Sequence, residues 1–207
     1  AEARLVYRLR DERNTYSDGW ALGLARRAVL AVGARLKELG RLTDADYSVM
    51  SAALSRLHEA PLVIDVSSSL SASRMAARCR SVKRKHGGLS LVVIDYLQLM
   101  RGEGNNRNEE LGDITRQLKL MARELACPVI VLSQLSRKVE ERMDKRPLLS
   151  DLRESGAIEQ DADLVMMAYR DDYYVKDSPY KGLAEIVLRK HRMGELGEVH
   201  LVFQGEY

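Results

Sequence analysis

LVVID at residues 91–95 decides the fold. Four uninterrupted aliphatic residues do not alternate as a half-exposed strand would. The run suits a parallel strand covered on both faces, with Asp95 at its carboxyl end. Downstream, Leu111, Ile114, Leu118, Met121 and Leu125 fall at helical spacing and predict an amphipathic helix. Pro128 then leads into VIVLS, a second strand of the buried type. Upstream, LVIDV at 62–66 reads as another strand. Ser71 or Ser73 can cap a helix to about Lys85, which Gly87 and Gly88 close. Strand, helix, strand, helix, strand is the pattern of a parallel α/β sheet with helices on both faces. DLVMMAYR, AEIVLRK and EVHLVF are three more strand candidates, the last two separated by MGELG. They predict a sheet edge finished by a C-terminal hairpin.

The flanks are less periodic. AEARLVYRLRDER at 1–13 reads as a short amphipathic helix, TYSDGW at 15–20 as a turn and ALGLARRAVLA at 21–31 as a second helical piece. Thr43 is a plausible cap for a further helix that Pro61 stops. GEGNNRN at 102–108 and the basic stretch 134–150 read as polar loops, the latter mobile.

Composition narrows the class. A chain of 207 residues suits one domain, or one domain with a small appendage. At 45% hydrophobic and 30% charged residues it is globular in composition, not disordered. No apolar run approaches the ~18–20 residues of a membrane span, and no signal-peptide pattern opens the chain. Cys79 and Cys127 make neither a disulfide framework nor a zinc site and read as core residues. His58, His86, His191 and His200 lack metal-ligand spacing. A net charge of +3 is too mild to argue nucleic-acid binding by itself. Only 5% aromatic residues argue against a base-stacking platform.

Ligands of open parallel sheets bind beyond the carboxyl ends of the strands. Asp95, Gln134, and Lys190 with Arg192 stand at three such ends. A carboxylate there can hold Mg²⁺ beside nucleotide phosphates, or simply cap a turn. The Gln134 amide can feel a γ-phosphate or position water, or be a solvated loop residue. Lys190 and Arg192 alternate along a strand end and can face one side. Such a pair either stabilises phosphoryl charge, even a neighbouring subunit's, or is a charged edge that discourages aggregation. The segment DLRESGAIEQDADLV at 151–165 places Arg153, Glu154 and Gly156 in a polar loop. That loop can offer an arginine and backbone N–H groups to a phosphate backbone, or merely be solvated. The cations between Arg74 and Lys85 read as a solvated helix face.

Four strings, HGGLSLVVIDYLQLM (86–100), PVIVLSQLSRKVEERMDKRP (128–147), SDLRESGAIEQDADLVMMAYRDD (150–172) and KGLAEIVLRKHRMGELGEVHLVFQG (181–205), follow in order. Together they resemble the C-terminal, RecA-type motor domain of DnaB-family bacterial replicative helicases. The resemblance covers roughly residues 34–207. It implies a RecA-like P-loop core over residues 15–207, with a linker helix over 1–14 that docks on the next subunit. It further implies a cytoplasmic homohexamer that hydrolyses ATP with Mg²⁺ and moves 5′ to 3′ on single-stranded DNA. Primase and helicase loaders are the implied partners. Asp95 would be the Walker B carboxylate on Mg²⁺, and Gln134 would couple the γ-phosphate to the DNA loops. Lys190 and Arg192 would reach the neighbour's nucleotide, and Arg153, Glu154 and Gly156 would grip DNA.

The sequence departs from that pattern in one decisive place. No Walker A loop precedes ALGLARRAVLA; the chain has no Gly-Lys pair at all. The strand with the catalytic glutamate is also lacking between Val32 and Arg35. Both gaps are flanked by well-matching sequence, which implies that the natural polypeptide carries segments this sequence lacks. Losing a sheet strand and the phosphate loop would otherwise leave a hole in the central sheet. An intact mass well above 23.4 kDa is expected; a chain of that mass would not hydrolyse ATP.

Overall fold

The structure is a computed structural model. It describes residues 4–8, scattered positions between 44 and 55, and residues 61–65, 71–152 and 155–203. The first sheet has the order β2-β1-β3-β4. Its strands are β1 (Arg4–Arg8), β2 (Leu62–Asp65), β3 (Leu91–Asp95) and β4 (Val129–Val131). β3 and β4 pair in parallel, Val92 opposite Val129 and Ile94 opposite Val131. The run that decides the fold is therefore a central parallel strand, as expected.

β1 corrects the reading of the N-terminus. Residues 4–8 form a strand where a linker helix was expected, antiparallel to both β2 and β3. Five residues are too few to hold a helix alone. Leu5, Val6 and Tyr7 favour strands, and the slot between β2 and β3 offers two open hydrogen-bonding edges. The hole expected in the central sheet is filled by this strand. The rest of 1–14 and the helical piece at 21–31 lie outside the described residues. Positions 44, 47, 48, 50–52 and 55 are helical, where the Thr43-capped helix was expected.

Helix α1 (Ala72–His86) starts at Ser71, whose Oγ accepts the Arg74 N–H at 3.4 Å. It ends at Gly87, where φ is +73°, a left-handed geometry that glycine adopts without steric cost. Three of its cations are more than a solvated face, Arg78 lying 3.4 Å from the Asp65 carboxylate of β2. Lys83 Nζ donates to the Leu125 carbonyl at 2.8 Å, and Arg80 pairs with Glu124 at 3.0 Å. Both secure the carboxyl end of helix α2 (Arg107–Leu125).

Asn106 caps the start of α2 by accepting the Glu109 N–H at 3.0 Å. The five-residue apolar stripe of α2 is fully buried against Val92 and Ile94 of β3 and Met75 and Cys79 of α1. Each such side chain contributes roughly 1.5–3 kcal/mol, far more than any difference in helix propensity. Val93, which alternates to the other face of β3, is buried too. The polar loop before α2 folds tightly against that helix. A Cβ on Gly102 would lie 2.7 Å from Ile114 Cγ1 and 2.8 Å from the Glu110 carbonyl.

The second sheet is antiparallel, in the order β5-β6-β7 (Leu164–Tyr169, Leu183–His191, Gly197–Val202), with the expected hairpin between β6 and β7. Between the two sheets stands the short helix α3 (Ser155–Asp161). Its Ile158 packs against both the α1–α2–β3 core and a smaller core of Leu152, Val165, Met167 and Val187.

The stretch 134–150 is not the mobile loop expected. It holds two 3-10 turns, Arg137–Glu141 and Leu149–Asp151. Arg142 grips the buried Asp151 with two bonds of 2.8 and 2.7 Å. Arg146 bridges Glu185 at 2.7 Å and Glu198 at 3.1 Å. Arg189 Nε donates to the Pro147 carbonyl at 2.8 Å. Charge pairing, which composition does not reveal, fixes the segment on the second sheet. The ligand atoms of Glu185, Glu198 and His200 also lie within 4.8 Å of one another. Arg146 already supplies positive charge there, so the cluster is an ion-pair clamp. Among the described residues no helix is long and apolar enough to cross a membrane.

Candidate nucleotide site

Asp95 ends β3 half-buried, and the chain leaves it through a cis peptide bond to Tyr96. The Leu97 N–H donates to the Leu132 carbonyl at 2.8 Å, and the Leu132 N–H to the Ile94 carbonyl at 2.9 Å. These bonds extend the parallel pairing past β4 and bring the ends of the two strands together. Gln98 completes the join. Its Nε2 donates to Ser133 Oγ at 2.8 Å, and its Oε1 accepts the Gln134 N–H at 3.3 Å. Asp95 and Gln134 are thus neighbours by construction, and the Gln134 side chain is exposed. Gln98 was not singled out in the sequence; its amide in LQL after a strand-end aspartate is a weak signal.

Other aspartates of these elements are engaged. Asp151 is held by Arg142, Asp161 accepts from Thr115 Oγ1 at 2.5 Å, and Asp163 accepts from Lys119. Asp95 makes no side-chain hydrogen bond or ion pair among the described residues. A half-buried carboxylate with free lone pairs at a parallel strand end suits a hard divalent cation. The nucleotide's phosphates are less well served. No glycine-rich loop with lysine accompanies Asp95 in this sequence, so the described residues fit Mg²⁺ and not the whole nucleotide.

Lys190 and Arg192 are not brought to Asp95; their strand belongs to the second sheet, not to an adjacent end of the first. Both face the carboxyl end of α3, as their alternation allows. Lys190 Nζ donates to the Glu159 carbonyl, and Arg192 Nη2 to the Gln160 carbonyl at 2.9 Å. Cations suit the carboxyl ends of helices, where carbonyls are unpaired. Arg192 is half-exposed, with Nε 3.6 Å from Asp163 Oδ1. Gly156 sits in the first turn of α3, which replaces the flexible loop expected there. Burial of Ile158 and the Thr115–Asp161 bond favour the helix. Arg153 and Glu154 lie outside the described residues.

A parallel strand pair ending in a free carboxylate beside an amide, backed by α1 and α2, defines a RecA-like α/β domain. A family profile, the DnaB-like helicase C terminal domain, matches residues 24–207. The chain belongs to that family. It is 49% identical over 179 residues to the replicative DNA helicase DnaB of Geobacillus stearothermophilus, covering 85% of this chain and 39% of that protein. To the replicative DNA helicase DnaB of Pasteurella multocida it is 50% identical over 169 residues, 80% of this chain and 36% of that one. The chain thus spans well under half the length of these relatives.

Solved structures agree. The ATPase domain of G40P superposes with a TM-score of 0.79 at 41% identity, over 90% of this chain and 68% of that one. A DnaB-like replicative helicase, described together with its interactions with primase, gives 0.75 at 44% identity, over 79% and 40%.

Proposed function

We propose that this chain is the motor part of a replicative DNA helicase, a homohexameric ring that hydrolyses ATP and moves 5′ to 3′ on single-stranded DNA. The observation that carries the reading is Asp95, a strand-end carboxylate with no side-chain partner among the described residues, followed three residues on by Gln98, which accepts the Gln134 N–H at 3.3 Å, in a chain matched by the family profile over residues 24–207. Asp95 would hold Mg²⁺, which supplies charge neutralisation at the phosphates. Gln134 would report the γ-phosphate to the segment that follows it. Lys190 and Arg192, which belong to the second sheet and make no contact with their own Asp95 among the described residues, suit service in a neighbour's site. An arginine supplied in trans is worth about 10³–10⁵ in rate where it has been dissected. Arg153, Glu154 and Gly156 would meet the DNA backbone. A relative described with primase supports primase as a partner; a helicase loader and a cytoplasmic setting fit the same role.

The missing phosphate loop sets the test. The complete natural polypeptide, its mass established first, should hydrolyse ATP faster with single-stranded DNA and unwind a forked duplex from the 5′ side. Arg192→Ala should abolish turnover and keep nucleotide binding. A polypeptide that binds DNA without turnover would be a catalytically dead relative, and wild-type turnover in Arg192→Ala would remove the trans assignment.

A further inference from the structure

Asp163 has no role in the site as described so far, yet it stands between two elements that do. Its carbonyl accepts the Arg192 N–H at 2.9 Å, which fixes the backbone of the residue beyond β6. Its carboxylate faces two cations: Lys119 of α2 on Oδ2, and Arg192 Nε at 3.6 Å from Oδ1. The Lys119 hydrogen bond holds the Asp163 carboxyl below its ordinary range, so it stays charged. Arg192 is oriented at one edge by Asp163 and at Nη2 by the Gln160 carbonyl.

We infer that Asp163 is a positioning residue for Arg192, aiming its guanidinium outward at the nucleotide of the adjacent protomer. The inference rests on the trans role proposed for Arg192. The division of labour on the carboxylate is its physical core. An Asp163 devoted to Arg192 would form a tight bidentate pair that competes with phosphate oxygens. Lys119 takes up half of the carboxylate and leaves Arg192 beyond hydrogen-bond length, oriented but releasable. Lys119 also ties the arrangement to α2, whose Thr115, one turn earlier, bonds Asp161 at 2.5 Å. The arginine is thereby referenced to the helix that backs its own Asp95 strand.

The complete ring-forming polypeptide tests this. Asp163→Ala and the milder Asp163→Asn should lower kcat on the order of 10–100-fold, as misplaced catalytic groups do, with KM for ATP unchanged. Asp163→Glu should recover part of the loss. The separating experiment mixes rings. Protomers with Asp163→Asn and protomers with Asp95→Ala are each slow alone. Mixed, they should regain DNA-stimulated turnover, because the first supplies an intact Asp95 and the second a well-aimed Arg192. The control mixture pairs Arg192→Ala with Asp95→Ala. Recovery in the control without recovery in the Asp163→Asn mixture would overturn the positioning role and leave the shared site standing. Failure of both mixtures would overturn the shared site, and the inference with it. Raised KM with unchanged kcat in Asp163→Asn would also overturn it.

Discussion

Arg146 touches three partners at once: Glu185, Glu198 and, 5.1 Å from its centroid, the ring of Tyr169. Glu185 is 1% exposed, so its charge depends on that guanidinium. Removing one member of a buried pair strands the other, at a cost of about 3–5 kcal/mol. Arg146→Ala should lose about that much in urea unfolding at pH 7. An unchanged urea midpoint in Arg146→Ala would contradict the pairing. Asp151 gives stability a pH dependence. Burial pushes its carboxyl up, but the Arg142 bonds and the Leu148 N–H outweigh this and hold it below the ordinary range. Its contribution is present above the unfolded carboxyl value and is lost as pH falls through the lower folded value. Asp151→Asn should flatten the acid limb of stability below about pH 4, measured as urea midpoint against pH. None of these contacts was legible in the sequence. Arg146 and Glu185 are far apart along the chain, and a composition of mixed charges does not say which cation meets which acid.

The elements differ in how plainly the sequence announces them. The stripe of α2 and the aliphatic run of β3 are local patterns, and both formed where their periodicity put them. So did the Ser71 cap and the Gly87 stop of α1. Residues 4–8 misled because the helical spacing around them is a weak preference and an open slot between two strands overrides it. Gly156 misled for a related reason: a glycine in a polar run signals a loop until Ile158 finds two cores to pack against. The turn before α2 gives a sharper test of local sterics. Any side chain at Gly102 meets Ile114 and the Glu110 backbone, while its N–H donates to Glu110 Oε1 at 2.9 Å. Gly102→Ala should cost about 1–3 kcal/mol of stability by overpacking, read as a lowered thermal midpoint. An unchanged midpoint would mean that the loop does not press on α2 as described.

Over the whole molecule, Asp95 with Gln134 belongs to one sheet and Lys190 with Arg192 to the other, and Ile158 contacts the cores of both. Trimming that half-buried side chain to alanine should cost about 1–3 kcal/mol. It should also lower amide-exchange protection in β5, β6 and β7 before it does so in β3 and α2; a uniform loss would point to one cooperative unit. The strand ends that carry the candidate residues were legible one by one, because each polar residue follows an apolar run. Its division between sheets was not, since strand order is set by pairing and not by spacing. The antiparallel course of β1 sets one end of that strand at the candidate site. Arg4 pairs with Asp95 and Arg8 with Leu91, so β1 enters the sheet at the rim where Mg²⁺ would be held and runs away from it.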